Sequence, residues 1–474
     1  MKKHHIFLTV FTFTALLSQA QLRLPAIFTD HMVLEQQSEV PIWGWAAPGE
    51  GITVNVSWDK DNEIKTKCLN TAMWKVSLKT PGAGGPYTIT IKGSNQLILK
   101  DVMVGEVWIC SGQSNMEWSA ASGASDAAED MPKANWPGIR LFQVVRFAAD
   151  FPQIRGEGQW KLCTPETMKN FSAVGYFFGK KLNSDLKVPV GLINASWGGT
   201  PAEVWTPAEK VEMDPELKAS SLLLKETDYC PKAPGACYNG MIRPLAPYGI
   251  AGVIWYQGES NTVAPATYQK LMKVMIESWR VDFGKQFPFY YVQIAPYKYG
   301  RNYEGALIRE QQSELLSEPR TGMVIISDAV DNVENIHPKL KKPVGDRLAN
   351  YALADTYKQH ILGYKSPVYK SMEVDKGKIR ISFEYAEIGL VSYGGDPTQF
   401  TIAGEDGKFF PAIAKIDGGT VLVSAKEVKK PVAVRFCWDN TSIPNLFNKE
   451  GLPVSCFRTD TWELDMSPVV NEKK

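Results

Sequence analysis

The stretch Val104-Gly105-Glu106-Val107-Trp108-Ile109-Cys110-Ser111-Gly112-Gln113-Ser114-Asn115-Met116 decides how the fold is read. Residues 104–110 form a nearly continuous apolar run, the pattern of a strand buried on both faces, which occurs in parallel sheets covered by helices. The run breaks at Ser111-Gly112, so Ser114 falls just past the carboxyl end of the strand. Open α/β sheets bind ligands at that edge, and a helix starting there aims its first N–H groups at the serine oxygen. The same position suits a helix cap, a commoner role for serine.

Moving outward, comparable runs recur at residues 190–195, 252–257, 289–294 and 323–327, with helical patterns between and after them. Tyr268, Leu271, Met272, Met275 and Trp279 share one helical face, and Leu340, Val344, Leu348 and Ala352 repeat every four residues on another. This alternation predicts an α/β unit over residues 102–360, a doubly wound parallel sheet with helices on both faces. Residues 21–101 instead give short β-rich segments such as Val40-Pro41-Ile42-Trp43-Gly44-Trp45 and Tyr87-Thr88-Ile89-Thr90-Ile91, separated by Gly- and Pro-rich turns. Strand patterns return at residues 379–383, 400–403, 421–424 and 432–436. Two β-sandwich-like units, residues 21–101 and 361–474, are therefore expected to flank the α/β unit.

The first residues, Met1-Lys2-Lys3-His4-His5, lead into an apolar run and then Ser18-Gln19-Ala20, the order of a signal peptide over residues 1–20. Export to a periplasm or beyond the cell is expected, and no stretch is long and apolar enough to predict a membrane span. The 52 basic and 51 acidic side chains nearly cancel, so no single-signed field draws nucleic acid or an anionic membrane. Seven cysteines leave at least one unpaired; Cys230 with Cys237, and Cys437 with Cys456, are candidate bridges. Neither pair has the CxxC spacing of a zinc or redox site, and no metal or other cofactor is assigned.

A nucleophilic serine needs a base, and near neutral pH histidine is the usual one. With the signal removed, His31, His337 and His360 remain. His337 follows the last apolar run in Glu334-Asn335-Ile336-His337-Pro338, again at the carboxyl edge of the sheet. An acid on the same loop would hold the imidazole. Glu334, three residues before it, is the expected acid, with Asp328 and Asp331 as alternatives. Donors for a tetrahedral oxyanion are available in two further strand-end loops, Asn194-Ala195-Ser196-Trp197-Gly198-Gly199-Thr200 and Trp255-Tyr256-Gln257-Gly258-Glu259-Ser260-Asn261. Turn chemistry alone would explain the glycines of either loop. A serine, a histidine and donor loops all at strand ends point instead to acyl-ester chemistry.

The motifs Gly112-Gln113-Ser114-Asn115-Met116, Ser196-Trp197-Gly198-Gly199-Thr200, the Trp255-to-Asn261 loop and Ile336-His337-Pro338 together resemble the sialate O-acetylesterase family of SGNH hydrolases. The likeness extends to Phe28-Thr29-Asp30-His31, Tyr238-Asn239-Gly240-Met241, Asn445-Leu446-Phe447-Asn448 and Phe457-Arg458-Thr459-Asp460, nearly the whole mature chain. It implies a metal-free serine esterase that removes O-acetyl groups from carbohydrate, sialic acid first and acetylated polysaccharides such as acetylxylan as the alternative. It also implies Ser114 as nucleophile, His337 as base, and an oxyanion hole from the Ser114 and Gly199 backbones with the Gln257 amide. Asn261 is the alternative amide donor, and Glu334 stands where such enzymes commonly carry Asp. Gln113, Asn261 and Arg309 are candidate substrate contacts, Arg309 because a guanidinium suits a sugar carboxylate. Trp118, Trp197, Trp205 and Tyr256 are candidate aromatic walls. A non-catalytic carbohydrate-binding protein is the competing reading. An α/β-hydrolase is disfavoured, because the serine motif lacks the second glycine of G-x-S-x-G.

Overall fold

A computed structural model describes residues 21–469. The signal-peptide reading lies outside the described residues. The apolar run at residues 104–110 belongs to a longer strand: it forms the last part of β1 (Gln96–Gly112), a strand of 17 residues. The first part of β1 pairs with the strand Gly84–Lys92 in an antiparallel N-terminal layer. Its last part enters a mixed sheet with β2 (Trp136–Val144), β3 (Gly158–Cys163), β4 (Val190–Ser196), β5 (Gly252–Tyr256), β6 (Phe289–Val292) and β7 (Thr321–Val324).

The strand order is β7-β6-β5-β1-β4-β2-β3, parallel throughout except for β3 at the edge. After β1 the chain builds β2, β3 and β4 on one side and then β5, β6 and β7 on the other. The carboxyl end of β1 is thus the point where strand order reverses, and a crevice opens there between the diverging loops.

Alternation along these strands explains how the sheet is covered on both faces. Val107, Ile109, Val253 and Trp255 point into one apolar core, where α3 (Tyr268–Phe283) packs through Leu271, Met272, Met275 and Trp279. Trp108, Cys110, Leu192 and Ile254 point into the other, under α2 (Ala173–Leu186) and α5 (Lys342–Tyr351). Each of these large apolar side chains contributes about 1.5–3 kcal/mol when fully buried. The predicted helix at Leu340 starts later, at Lys342 with Pro343 in its first turn, and Leu340 is left exposed.

Two further helices are α1 (Ser114–Glu117), directly after β1, and α4 (Glu304–Glu314), between β6 and β7. After residue 360 the chain forms antiparallel sheets, one of them Val368–Asp375, Lys378–Glu384, Thr420–Ser424 and Ile413–Asp417 in spatial order. They enclose a separate core that includes Ile381, Val421 and Phe436. Arg458 ties this layer to α4 by a two-pronged ion pair with Glu310, at 2.9 and 3.1 Å. Neither candidate cysteine pair is bridged; all seven cysteines are buried thiols. Among the described residues, no helix is long and apolar enough to cross a membrane and no cluster of side chains fits a metal ion.

Candidate active site

The position of Ser114, the candidate nucleophile, is fixed by backbone. Gly112 ends β1 with φ +132°, and a Cβ there would lie 2.2 Å from the carbonyl oxygen of Tyr256, so only glycine lets the chain turn so close to β5. The next residue, Gln113, donates its N–H to that same Tyr256 oxygen at 3.0 Å. The Trp197 N–H reaches the Gly112 carbonyl at 3.1 Å, which hangs the loop after β4 from the same turn. Ser114 is thereby presented half-buried at the first position of α1.

Its Oγ lies 2.9 Å from His337 Nε2, bringing together two residues 223 positions apart. The imidazole stacks on Trp118, with centroids 4.0 Å apart and planes 15° from parallel. Burial, and secondarily the positive charge of Lys341, pull the His337 pKa down to about 4. The ring is therefore neutral at pH 7 and able to take a proton from Ser114.

The structure does not bring the three carboxylates of this loop to the ring. Glu334 is turned to solvent and bonds Lys298 at 3.3 Å. Asp328 makes a two-pronged pair with Arg347 at 2.7 and 2.6 Å, and Asp331 faces Lys339 at 3.8 Å. A loop that bulges outward from the sheet lets residues three apart point in opposite directions, and sequence spacing does not specify which. What holds this loop near His337 is the Asn335 side chain, whose Oδ1 accepts the His337 N–H at 3.0 Å.

Donors for an oxyanion are present in the backbone. The Ser114 N–H belongs to the first turn of α1, where no intrahelical acceptor exists. Gly199 has φ +80° and its N–H has no acceptor among the described residues. The following peptide is anchored, the Gly199 carbonyl accepting from Lys232 Nζ at 2.7 Å and from Ser260 Oγ at 3.0 Å. Gly198 sits against Ser114 too, but its N–H is taken by Glu117 Oε2 at 2.9 Å.

The expected amide donors are committed elsewhere. Gln257 Nε2 donates to Asn261 Oδ1 at 2.7 Å and to the Thr200 carbonyl at 3.2 Å, using both its hydrogens. Asn261 Nδ2 donates to Glu203 at 2.9 Å. Both side chains are fully buried and brace the loops rather than line an opening. Gln113 is the amide with capacity left: its Oε1 accepts from the Ser260 and Gly258 N–H groups at 3.2 and 3.4 Å, while its Nε2 has no protein acceptor among the described residues.

Arg309 is also placed away from Ser114. It is buried on α4, donates to the Asp439 carbonyl and stands beside Cys437 and Cys456, within the contact to the C-terminal sheets. Of the four candidate aromatic walls, Trp205 and Tyr256 are buried in the core. Trp118 supports the imidazole, and Trp197 lies at the rim, where its Nε1 donates to the Tyr229 carbonyl at 2.9 Å. Tyr229 itself, exposed and lying over Gly199, and Arg146, which pairs with Glu117 and faces the Trp197 ring at 5.8 Å, complete that rim. Neither was expected from sequence, since both sit in irregular segments with no motif.

Comparison with known proteins gives the family. Residues 104–354 match the family model described as carbohydrate esterase, sialic acid-specific acetylesterase. The chain belongs to this family. Sialate O-acetylesterase from Homo sapiens is 28% identical to this esterase over 400 residues, 76% of each chain. The Mus musculus enzyme of that name is 29% identical over 430 residues, 76% of this chain and 79% of its own. Among solved structures, a carbohydrate acetylesterase from Xanthomonas citri is 39% identical and superposes with a TM-score of 0.85, covering 93% of this chain and 100% of its own. The protein is a carboxylic ester hydrolase acting as a carbohydrate acetylesterase.

Proposed function

We propose that the esterase removes O-acetyl groups from sialic acid, the 9-O-acetyl ester first, through Ser114 and His337 in an SGNH-type site. The observation that carries the chemistry is the 2.9 Å contact of Ser114 Oγ with the neutral His337 Nε2; the Ser114 and Gly199 N–H groups, without acceptors among the described residues, are read as the oxyanion donors. In this reading His337 takes the hydroxyl proton as Ser114 Oγ bonds the acetyl carbon. The carbonyl oxygen becomes an oxyanion facing the two N–H groups. His337 then gives the proton to the departing sugar oxygen, leaving acetyl-Ser114. Water, deprotonated by the same imidazole, releases acetate and restores the serine.

Support for an anionic sugar comes from the rim. Lys232 touches the Gly199 carbonyl and forms no ion pair within 4 Å among the described residues, and Arg146 stands half-exposed above Trp197. A sugar carboxylate would meet positive charge there, in place of the buried Arg309. A neutral acetylated polysaccharide is the second reading, favoured by the exposed Tyr229 ring over Gly199. The flanking antiparallel layers are read as β-sandwich-like units, and the residue 1–20 pattern supports export.

The test is acetate release from 9-O-acetylated sialic acid and from acetylxylan, with Ser114→Ala as the blank. A higher kcat/KM on the sialic acid is expected. Release from acetylxylan with none from the sialic acid would overturn the substrate, and full activity of Ser114→Ala would overturn the mechanism.

A further inference from the structure

Asn115, next to the nucleophile, is fully buried, yet its side chain touches three other segments of the site. Its Nδ2 donates to Glu259 Oε1 on the loop after β5 at 2.6 Å, and to the carbonyl of Ile336, the residue before His337, at 3.0 Å. Its Oδ1 accepts from Lys341 Nζ, just before α5, at 2.7 Å. One amide thus joins the serine turn, the strand-end loop, the histidine loop and the helix that follows it.

The partners make this amide's orientation unambiguous. A carboxylate and a carbonyl face the amide nitrogen, and an amine faces its oxygen. Turning the amide over would set oxygen against the Glu259 and Ile336 oxygens, and NH₂ against the Lys341 amine, so every contact would become repulsive. Hydrogen bonds to charged groups are also about twice as strong as neutral ones. Glu259 and Lys341 are both buried, Glu259 makes its one side-chain hydrogen bond to Asn115, and Lys341 lies over the Tyr256 ring at 5.3 Å. Burying two ionisable groups is costly unless each is paired; Glu259 Oε2 has no partner among the described residues and Lys341 Nζ has Asn115 alone, so both groups depend on this one amide and hold it in place.

We propose that Asn115 is a positioning residue that clamps the His337 loop to the nucleophile turn, with Glu259 and Lys341 locking its amide. Glu259 then orients the base from one residue away, through the Asn115 amide and the Ile336 carbonyl, which explains how His337 meets Ser114 without a carboxylate on its ring. The inference rests on the Ser114–His337 esterase reading.

The test uses 4-nitrophenyl acetate, which needs no sugar recognition, and the full chain carrying Asn115→Ala, Glu259→Ala or Glu259→Gln. Misplacing a base by about 1 Å costs on the order of 10²-fold in rate. Asn115→Ala and Glu259→Ala should each lose that factor in kcat with KM within about threefold. Glu259→Gln, which keeps an acceptor oxygen for Asn115, should recover about tenfold of it. As a control for simple destabilisation, Asp460→Asn weakens the buried Arg435–Asp460 pair in the C-terminal sheets and should lower Tm while leaving kcat unchanged. Wild-type kcat in folded Asn115→Ala overturns the clamp. So does a loss in Glu259→Gln equal to that in Glu259→Ala; this arm still decides if Asn115→Ala does not fold. Hydrolysis that survives Ser114→Ala undiminished would instead remove the esterase reading and the clamp with it.

Discussion

The two halves of the active site are held by different means. Ser114 sits on backbone: a 17-residue strand, a glycine turn that admits no side chain, and N–H groups of neighbouring loops bonded to that turn. His337 sits on a loop whose flanking residues Asp331, Asn332, Glu334, Lys339 and Leu340 are exposed, and which is fastened by side chains, Asn335 and Asn115. A sheet edge can place a nucleophile from β-pairing alone. A base carried on an outward loop has to be pinned by specific polar contacts, and its properties then depend on which charges do the pinning.

That contrast can be sharpened first through Lys341. It faces Glu259, Asp126 and Asp331, and burial pulls its pKa down to about 7, so it is charged through the acidic range. There its charge adds to burial in opposing protonation of His337. The reaction needs the neutral ring. Lys341→Met should therefore raise the His337 pKa and move the acid limb of the kcat/KM profile to higher pH, a shift of one unit costing about tenfold in rate on that limb. The plateau should fall as well, because the Asn115 oxygen loses its donor. A pH–rate profile whose acid limb does not move would show that Lys341 has no electrostatic hold on the base.

The smaller effect is expected at the exposed end of the same loop. Glu334→Gln removes a solvent-facing pair with Lys298, and pairs of that kind contribute ~0–1 kcal/mol. Its kcat on 4-nitrophenyl acetate should stay within about threefold of wild type, far from the roughly 10⁴-fold loss seen when a triad carboxylate is amidated. A loss beyond 10²-fold would mean that Glu334 swings onto the imidazole during turnover.

The same division explains what the sequence disclosed. Buried strands such as β4 and β5 were legible because both faces are apolar. β2 was hidden by Pro137 and Gly138 near its start, and β3, an edge strand, by its mix of exposed and buried residues. α2 escaped although Val174, Phe177, Phe178 and Leu182 share one helical face, because Gly175 and Gly179, which pack close to Cys110 and Leu192, interrupt the pattern. Ser114 and His337 were singled out by strand-end position and a shortage of histidines, and the fold sets their side chains 2.9 Å apart. Glu334, Gln257 and Arg309 were assigned by spacing, motif or chemistry. None of these says which way a side chain turns, and each is placed in contacts away from Ser114. Asn115 and Glu259 lay inside quoted motifs, but a residue that acts by bridging three loops carries no signature in any one of them.

The most direct test of the account is the structure of the esterase after reaction with a phosphonate that mimics the tetrahedral intermediate. The prediction is a covalent bond to Ser114 Oγ, the phosphoryl oxygen within hydrogen-bond distance of the Ser114 and Gly199 N–H groups, and His337 still fastened through Ile336 to Asn115. A phosphoryl oxygen bound instead by Gln257 Nε2 freed from Asn261 and Thr200, or an adduct on any residue other than Ser114, would contradict it.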